Sequence, residues 1–323
     1  MTMRNRLLGR SGIRVSELCL GTMMFGANWE WRANADEDDS RKIYEAYREA
    51  GGNFVDTANI YADGRSEEIL GRLVATERDA IVVATKFTLE TEAGDPNSSG
   101  SHRKNLHRSI EGSLRRLGTD YVDLLWVHAW DQRTPIEETV RALDDLVSSG
   151  KVLAVGVSNT PAWVVSSAVT LAELRGWAPF CGVQVAHSLT SRTSEREMLP
   201  MAKALGLAVT GWAPLAMGML AGKEIPWATD AQREVVKVVA EVAVELDLTP
   251  AQVALAWSVQ KGVIPVIGST KVEQVHDSLG AAGVTLPDPQ LARLDEVSAI
   301  DPGYPHDFLS LKADILGPLE TEH

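Results

Sequence analysis

Residues 53–86 read NFVDTANIYADGRSEEILGRLVATERDAIVVATK. A short apolar run, Phe54-Val55, ends in Asp56 and gives way to a polar loop carrying Tyr61. Ser66 to Val74 then places Ile69, Leu70 and Leu73 on one helical face, and Ala80 to Lys86 is an apolar segment that ends in lysine. Short strands that are apolar on both faces and alternate with amphipathic helices belong to a parallel sheet covered by helices. The segment therefore predicts strand, helix, strand, with an ionisable residue closing each strand. Taken alone, Asp56-Thr57 reads equally as a helix start and Tyr61 as a packing residue.

The alternation extends in both directions. Upstream, residues 5–17 read as a β-hairpin around Gly9-Arg10-Ser11-Gly12, expected to cover one end of the domain. Leu18-Cys19-Leu20 is a strand that stops at Gly21-Thr22. The acidic run Asp36–Asp39 suits a helix start, and Ile43, Tyr44, Ala46, Tyr47 and Ala50 continue that helix to Gly51-Gly52. Downstream, Leu106, Ile110, Leu114 and Leu117 mark a helix that Gly118 ends, and strand Val122–Val127 runs into His128. Thr134, Pro135 and Glu137 predict a capping box with proline at the first helical position, and Thr160-Pro161 predicts the same start after strand Val152–Val157 and Ser158-Asn159.

Strand Gly182–Val185 contains Gln184, a helix is expected over 195–205, and strand Leu207–Gly211 ends in Trp212. A long loop, 213–229, precedes two helices, the second opened by Thr249-Pro250 with Gln252 as capping partner. The last strand, Ile264–Ile267, leads into Gly268-Ser269-Thr270-Lys271 and helices over 271–281 and 289–298. The tail, 301–323, is expected to be a packed extension or lid.

Eight such repeats predict a single α/β domain over residues 1–323. Its fold is a (β/α)8 TIM barrel with an N-terminal β-hairpin, long loops at the C-terminal face and a C-terminal extension over 300–323. An open doubly wound sheet would also alternate, but the first strand-to-helix turn lacks the G-x-G-x-x-G fingerprint. A length of 323 residues, 45% hydrophobic and 23% charged, suits one large barrel. The formal charge of −13 argues against nucleic acid or an anionic membrane held by a general field. Cys19 and Cys181 lie far apart in apolar segments and no zinc-type spacing occurs, so reduced cysteines and no metal are expected. With neither an export signal nor a long apolar span, a cytoplasmic protein is expected.

In such a barrel the carboxyl ends of all strands ring one face, from which active-site groups come. Here those ends are Thr22-Met23, Asp56, Lys86, His128, Ser158-Asn159, Gln184, Trp212 and Gly268-Ser269. Burying polar groups unpaired costs free energy, so packing alone does not explain them. Asp56 and Lys86 read separately as a structural ion pair, and His128 as a satisfied core histidine.

At this point the sequence resembles the aldo-keto reductase superfamily. The resemblance runs through Leu18-Cys-Leu-Gly-Thr22, Asp56-Thr-Ala-Asn-Ile-Tyr61, Ser66-Glu67, Thr85-Lys86, Leu124-Leu-Trp-Val-His128, Gly156-Val-Ser-Asn159, Gln184 and Trp212-Ala-Pro-Leu215. It implies a barrel that binds a nicotinamide cofactor, usually NADP(H), and a catalytic set of Asp56, Tyr61, Lys86 and His128. Carbonyl reduction needs a hydride at carbon and a proton at oxygen, hence a general acid. A tyrosine has a pKa near 10 in isolation, and the Lys86 ammonium is expected to lower that of Tyr61. Asp56 would keep Lys86 charged, and His128 would orient the carbonyl oxygen.

The resemblance also assigns Ser158, Asn159 and Gln184 to the nicotinamide carboxamide and Trp212 to its ring, with Thr22, Met23 and Asp56 at the same end. The loop Ala213, Pro214, Leu215, Gly218 and Leu220 would cross the pyrophosphate. Ile267, Gly268, Ser269, Thr270 and Lys271, with Gln274 and Ser278, would hold the adenosine phosphate. Many relatives have an arginine where this chain offers Thr270-Lys271 and Gln274, so NAD(H) stays open beside NADP(H). His187 stands where many relatives have tyrosine.

Met24, Trp29, Trp31, Phe87 and Trp130, with Phe308, are expected around a small-molecule carbonyl substrate, either an apolar or aromatic aldehyde or ketone or a sugar face. Scattered aromatics also simply cover a barrel mouth. Two other functions fit some of these residues: a cofactor-sensing subunit resembling potassium-channel β subunits, and an aldolase-like barrel using Lys86 as a Schiff-base nucleophile. An ionised Asp56 beside Lys86 argues against the latter.

Overall fold

Alternating side chains fix the architecture. The computed structural model describes residues 3–26 and 34–311. Its eight parallel barrel strands are β3 (Cys19–Gly21), β4 (Phe54–Asp56), β5 (Val82–Phe87), β6 (Val122–Val127), β7 (Val152–Ser158), β8 (Phe180–Ala186), β9 (Ala208–Trp212) and β10 (Val263–Gly268). The sheet closes because β10 pairs in parallel with both β9 and β3. Residues of one parity fill the interior, including Cys19, Phe54, Val82, Leu124, Trp126 and Ile264. Those of the other, such as Val55, Val83, Leu125 and Val155, pack beneath the helices.

Each strand returns through helices on the outside: α1 (Glu37–Glu49), α2 (Arg65–Val74), α3 (Arg103–Leu117), α4 (Ile136–Ser148), α5 (Ala162–Arg175), α6 (Met198–Ala204), α7 (Asp230–Glu245) and α8 (Pro250–Gln260). Helices α9 (Val272–Leu279) and α10 (Asp288–Val297) follow β10, and α11 (His306–Leu311) ends the described chain. Asp36 caps α1, accepting from the Asp39 N–H, and the capping box Thr249/Gln252 at α8 forms as the sequence predicts.

The N-terminal hairpin, β1 (Asn5–Leu7) with β2 (Arg14–Ser16), seals the amino-terminal end. Leu8 and Val15, both fully buried, plug the interior against the barrel residues named above. Gly9 makes the close approach: its φ is +55°, and a Cβ there would lie 1.9 Å from the Cys181 carbonyl oxygen. Cys19 and Cys181 are buried free thiols. Among the described residues no helix is long and apolar enough to cross a membrane.

Two expectations need correction. The capping box at Thr134 does not form: α4 begins at Ile136 with Pro135 at its cap and no side-chain cap bond. A nearer partner competes, because Asp131 accepts from the Thr134 hydroxyl (2.6 Å) and from the backbone N–H groups of Ser101, Arg133 and Thr134. Likewise α5 begins at Ala162, and the Thr160 hydroxyl turns back to the Ser158 carbonyl at 2.9 Å. The tail, as far as Leu311, lies on the surface, and residues 312–323 lie outside the described residues. Tyr304 is exposed, α11 buries no residue, and the segment is tied down by His306 to Glu197 and by Arg196 to the Asp301 carbonyl.

Candidate active site

The site is built where β4 runs past its last ladder residue along β5. The N–H of Thr57 donates to the Ala84 carbonyl (2.9 Å) and that of Asn59 to the Lys86 carbonyl (3.2 Å). The side chains of Asp56 and Lys86 meet inside the barrel mouth, both buried.

All three ammonium donors of Lys86 are spent. They go to Asp56 Oδ2, to the Thr57 carbonyl at 2.9 Å and to the Tyr61 hydroxyl at 3.1 Å. The second carboxylate oxygen of Asp56 accepts from Gln184 Nε2 at 3.0 Å. A buried charge pair with all three ammonium protons directed at acceptors and both carboxylate oxygens accepting meets the condition under which burial of an ion pair is tolerated. Burial pulls the Lys86 pKa down, but Asp56 and then Tyr61 outweigh it and push it up to about 12. Lys86 is therefore an ammonium throughout the physiological range.

Tyr61 sits in a turn over Tyr61–Gly64, in which Ala62 and Asp63 adopt left-handed backbone with φ of 50° and 55°. The expectation that Lys86 lowers its pKa is half right. Burial raises it by more than the Lys86 charge lowers it, and Asp56 raises it further, so the phenol lies above its ordinary range and stays protonated. The physical reason is desolvation, which tertiary packing imposes and the sequence does not display.

His128 follows β6 and is held by its N–H to the Phe87 carbonyl at 2.9 Å. Its ring stands edge-on to that of Tyr61, centroids 6.1 Å apart. Burial first, and Lys86 second, lower its pKa to about 3, so the imidazole is neutral. Its Nδ1 is buried with no partner among the described residues.

Beside this group, the Ser158 hydroxyl donates to the Gln184 carbonyl (2.9 Å), and Asn159 Nδ2 donates to the His128 carbonyl (2.9 Å) and Ser158 Oγ (3.0 Å). Asn159 takes φ 45° to do so. Because a carboxylate or carbonyl only accepts, both amide nitrogens are committed. The oxygens Gln184 Oε1 and Asn159 Oδ1 accept no hydrogen bond among the described residues. Trp212, at the end of the next strand but one, is 40% exposed.

The other residues singled out by sequence divide into two groups. Thr22 is buried, its hydroxyl bound to Ser66 and the Asp56 carbonyl. Met23 and Leu215 are half-buried, while Ala213, Met217 and Gly218 all take positive φ in the loop after β9. Lys271 is exposed at the cap of α9, and Gln274 Oε1 accepts from Ser269 Oγ and the Thr270 N–H. Ser278 is buried, as are the side chains of Leu220, in the α7/α8 core, and Ile267. Only backbone of those last two is available to a ligand.

Of the aromatic set, Met24 is buried, Trp130 is half-buried with its ring edge-on to Trp163, and Phe308 is exposed on α11. Phe87 packs in the layer beneath the helices, not with Lys86. Trp29 and Trp31 lie outside the described residues.

Sequence reasoning passed over Asn59, buried with neither amide atom partnered, and gave Ser66 and Glu67 no role. His187 now has a physical account: its ring stacks on Trp257 at 5.0 Å, and its Nε2 lies 3.0 Å from Glu195, which Arg192 also grips.

The profile of the Aldo/keto reductase family matches residues 17–299. The chain belongs to this family. It is 39% identical over 319 residues to a norsolorinic acid reductase of Emericella nidulans, covering 93% of this chain and 82% of the relative. To an aryl-alcohol dehydrogenase [NADP(+)] of Phanerodontia chrysosporium it is 35% identical, covering 91% and 86%. An aldo-keto reductase of Emericella nidulans is 36% identical, covering 94% and 84%. The protein is accordingly an oxidoreductase of small-molecule carbonyl compounds of a family that uses nicotinamide cofactors.

Proposed function

We propose that the protein reduces aromatic or other apolar aldehydes and ketones with NADPH, with Tyr61 as the general acid and Asp56, Lys86 and His128 as its partners. The observation that carries this reading is Lys86, whose ammonium joins Asp56 to the Tyr61 hydroxyl. The name of the aryl-alcohol dehydrogenase [NADP(+)] relative supports an aromatic substrate and NADP.

The residues at the ends of β7, β8 and β9 suit a nicotinamide. Two amide oxygens without partners, Gln184 Oε1 and Asn159 Oδ1, match the donors of a carboxamide, and the half-exposed Trp212 matches a ring. When bound, the cofactor supplies the hydride. Lys271, exposed at the start of α9 and paired with no carboxylate among the described residues, would meet the extra phosphate that distinguishes NADP.

This chain's own residues handle the proton. Tyr61 holds it on its hydroxyl at neutral pH, because burial keeps the phenol high. As negative charge develops on the substrate oxygen, the proton leaves Tyr61, and the Lys86 ammonium 3.1 Å away stabilises the phenolate that remains. Asp56 keeps Lys86 charged and in place. Neutral His128 orients the substrate oxygen by hydrogen bonding without competing for the proton.

Fluorescence titration with NADPH and NADH, followed by turnover on aromatic and aliphatic aldehydes, tests the reading. Tighter binding of NADPH with faster turnover of the aromatic members is expected. Tight binding with negligible turnover across the panel would contradict it.

A further inference from the structure

The dipeptide Ser66-Glu67, at the start of α2, is fully buried just outside the barrel wall. The Ser66 hydroxyl donates to the Thr22 carbonyl at 2.8 Å and lies 3.0 Å from Thr57 Oγ1, so it ties the ends of β3 and β4 together. Glu67 divides its two oxygens. Oε1 accepts from the Thr85 hydroxyl at 2.5 Å, and Oε2 accepts from Arg116 Nε at 2.7 Å.

Each of those partners leads to one member of the reactive pair. Thr85 immediately precedes Lys86 on β5 and faces the opposite way along the strand. The Arg116 side chain lies under Gly64: a Cβ on that glycine would stand 2.6 Å from Arg116 Cδ and 2.8 Å from Nε. Gly64, at φ +90°, closes the turn that carries Tyr61, and Ala62 and Asp63 within the turn are left-handed. Such a turn persists only where its surroundings hold it. A buried ion pair is a weak device for stability, since apolar residues of equal volume do as well. Glu67, accepting on both oxygens, joins the Lys86 strand to the support of the Tyr61 turn.

We propose that Glu67 is a positioning residue that holds Tyr61 and Lys86 at the separation required for proton delivery, acting through Thr85 on one side and Arg116 on the other. The inference rests on the reading of Tyr61 as the acid.

Two variants each cut one link. Glu67→Gln keeps the volume and removes the charge facing Arg116, which weakens that link whichever way the amide is turned. Thr85→Val keeps the volume and removes the other bond. Each is expected to lower kcat about tenfold while the aldehyde KM and NADPH Kd stay within about twofold, the mark of an interaction needed in the transition state. Each is also expected to displace the pH profile of kcat. The ionisable groups beside Tyr61 are Lys86, Asp56 and His128; Thr85→Val leaves these and the Glu67–Arg116 charges in place, so a displacement in that variant reports geometry.

Wild-type kcat and pH profile in a folded variant would overturn the inference, as would a loss of kcat matched by equal losses of NADPH affinity and Tm. Should Glu67→Gln fail to fold, Thr85→Val alone decides. Tyr61→Phe is assayed in parallel: if it keeps turnover, the reductase reading itself fails. If it is inactive while Glu67→Gln and Thr85→Val behave as wild type, only the positioning role fails.

Discussion

At its amino-terminal end the barrel is closed by Leu8 and Val15 against an apolar interior, with Gly9 pressed on the backbone of β8. At its carboxyl end the same strands finish in Asp56, Lys86 and Gln184, buried and hydrogen-bonded to one another, under loops with left-handed backbone at Ala62, Asp63, Thr88, Gln132, Asn159, Ala213, Ala216 and Met217. Among the described non-glycine residues, only Asp247, between α7 and α8, takes a positive φ elsewhere. One end spends its side chains on burial, which stabilises at roughly 25 cal/mol per Å² of apolar surface. The other accepts strain and buried charge, as functional sites do. The difference teaches that stability and the proposed chemistry are separated along the strand direction, within a few residues of each other.

If that separation holds, damage to the floor should cost folding and spare turnover. Gly9→Val forces a β-branched residue into φ +55° and against the Cys181 carbonyl. It is expected to lose roughly 2–5 kcal/mol in chemical denaturation, from left-handed strain and overpacking together. The kcat of the fraction that remains folded should stay unchanged. A large fall in kcat at full folding would break the comparison.

The carboxyl end should show itself in pH dependence. His128 is lowered to about 3 by burial and then by Lys86, whereas an unfolded histidine titrates near 6.5. Below about 6.5 the unfolded chain binds a proton that the folded one refuses, so stability falls as pH drops from about 6.5 toward 3. His128→Gln should flatten that loss between about pH 6.5 and 5, where the carboxylates Asp131 and Glu195, both lowered to about 2, do not yet titrate. Parallel denaturation curves for the two proteins over that interval would mean that His128 is not held neutral. This effect is expected to be smaller than that of Gly9→Val.

Much of this was legible in residue order. Apolar runs of strand length closed by Asp56, Lys86 and His128 announced the barrel and gathered the proposed reactive group, because a parallel barrel brings every strand end to one face. The place of Phe87 follows from strand alternation: if Lys86 points inward, its neighbour points outward. The box at Thr134 was lost to Asp131, a competitor three residues away whose hold on the loop depends on Ser101, distant in sequence. The raised phenol of Tyr61 and the use of the Gln184 nitrogen by Asp56 depend on burial and on a contact spanning 128 residues, neither of which local pattern encodes.

The central claim is that Tyr61 delivers the proton. Single-turnover reduction of an aromatic aldehyde by the NADPH-loaded wild type and by Tyr61→Phe measures this directly. The account predicts unchanged NADPH affinity and a rate lower by roughly 10²- to 10⁴-fold in the variant; a variant that reduces the aldehyde at the wild-type rate would contradict it.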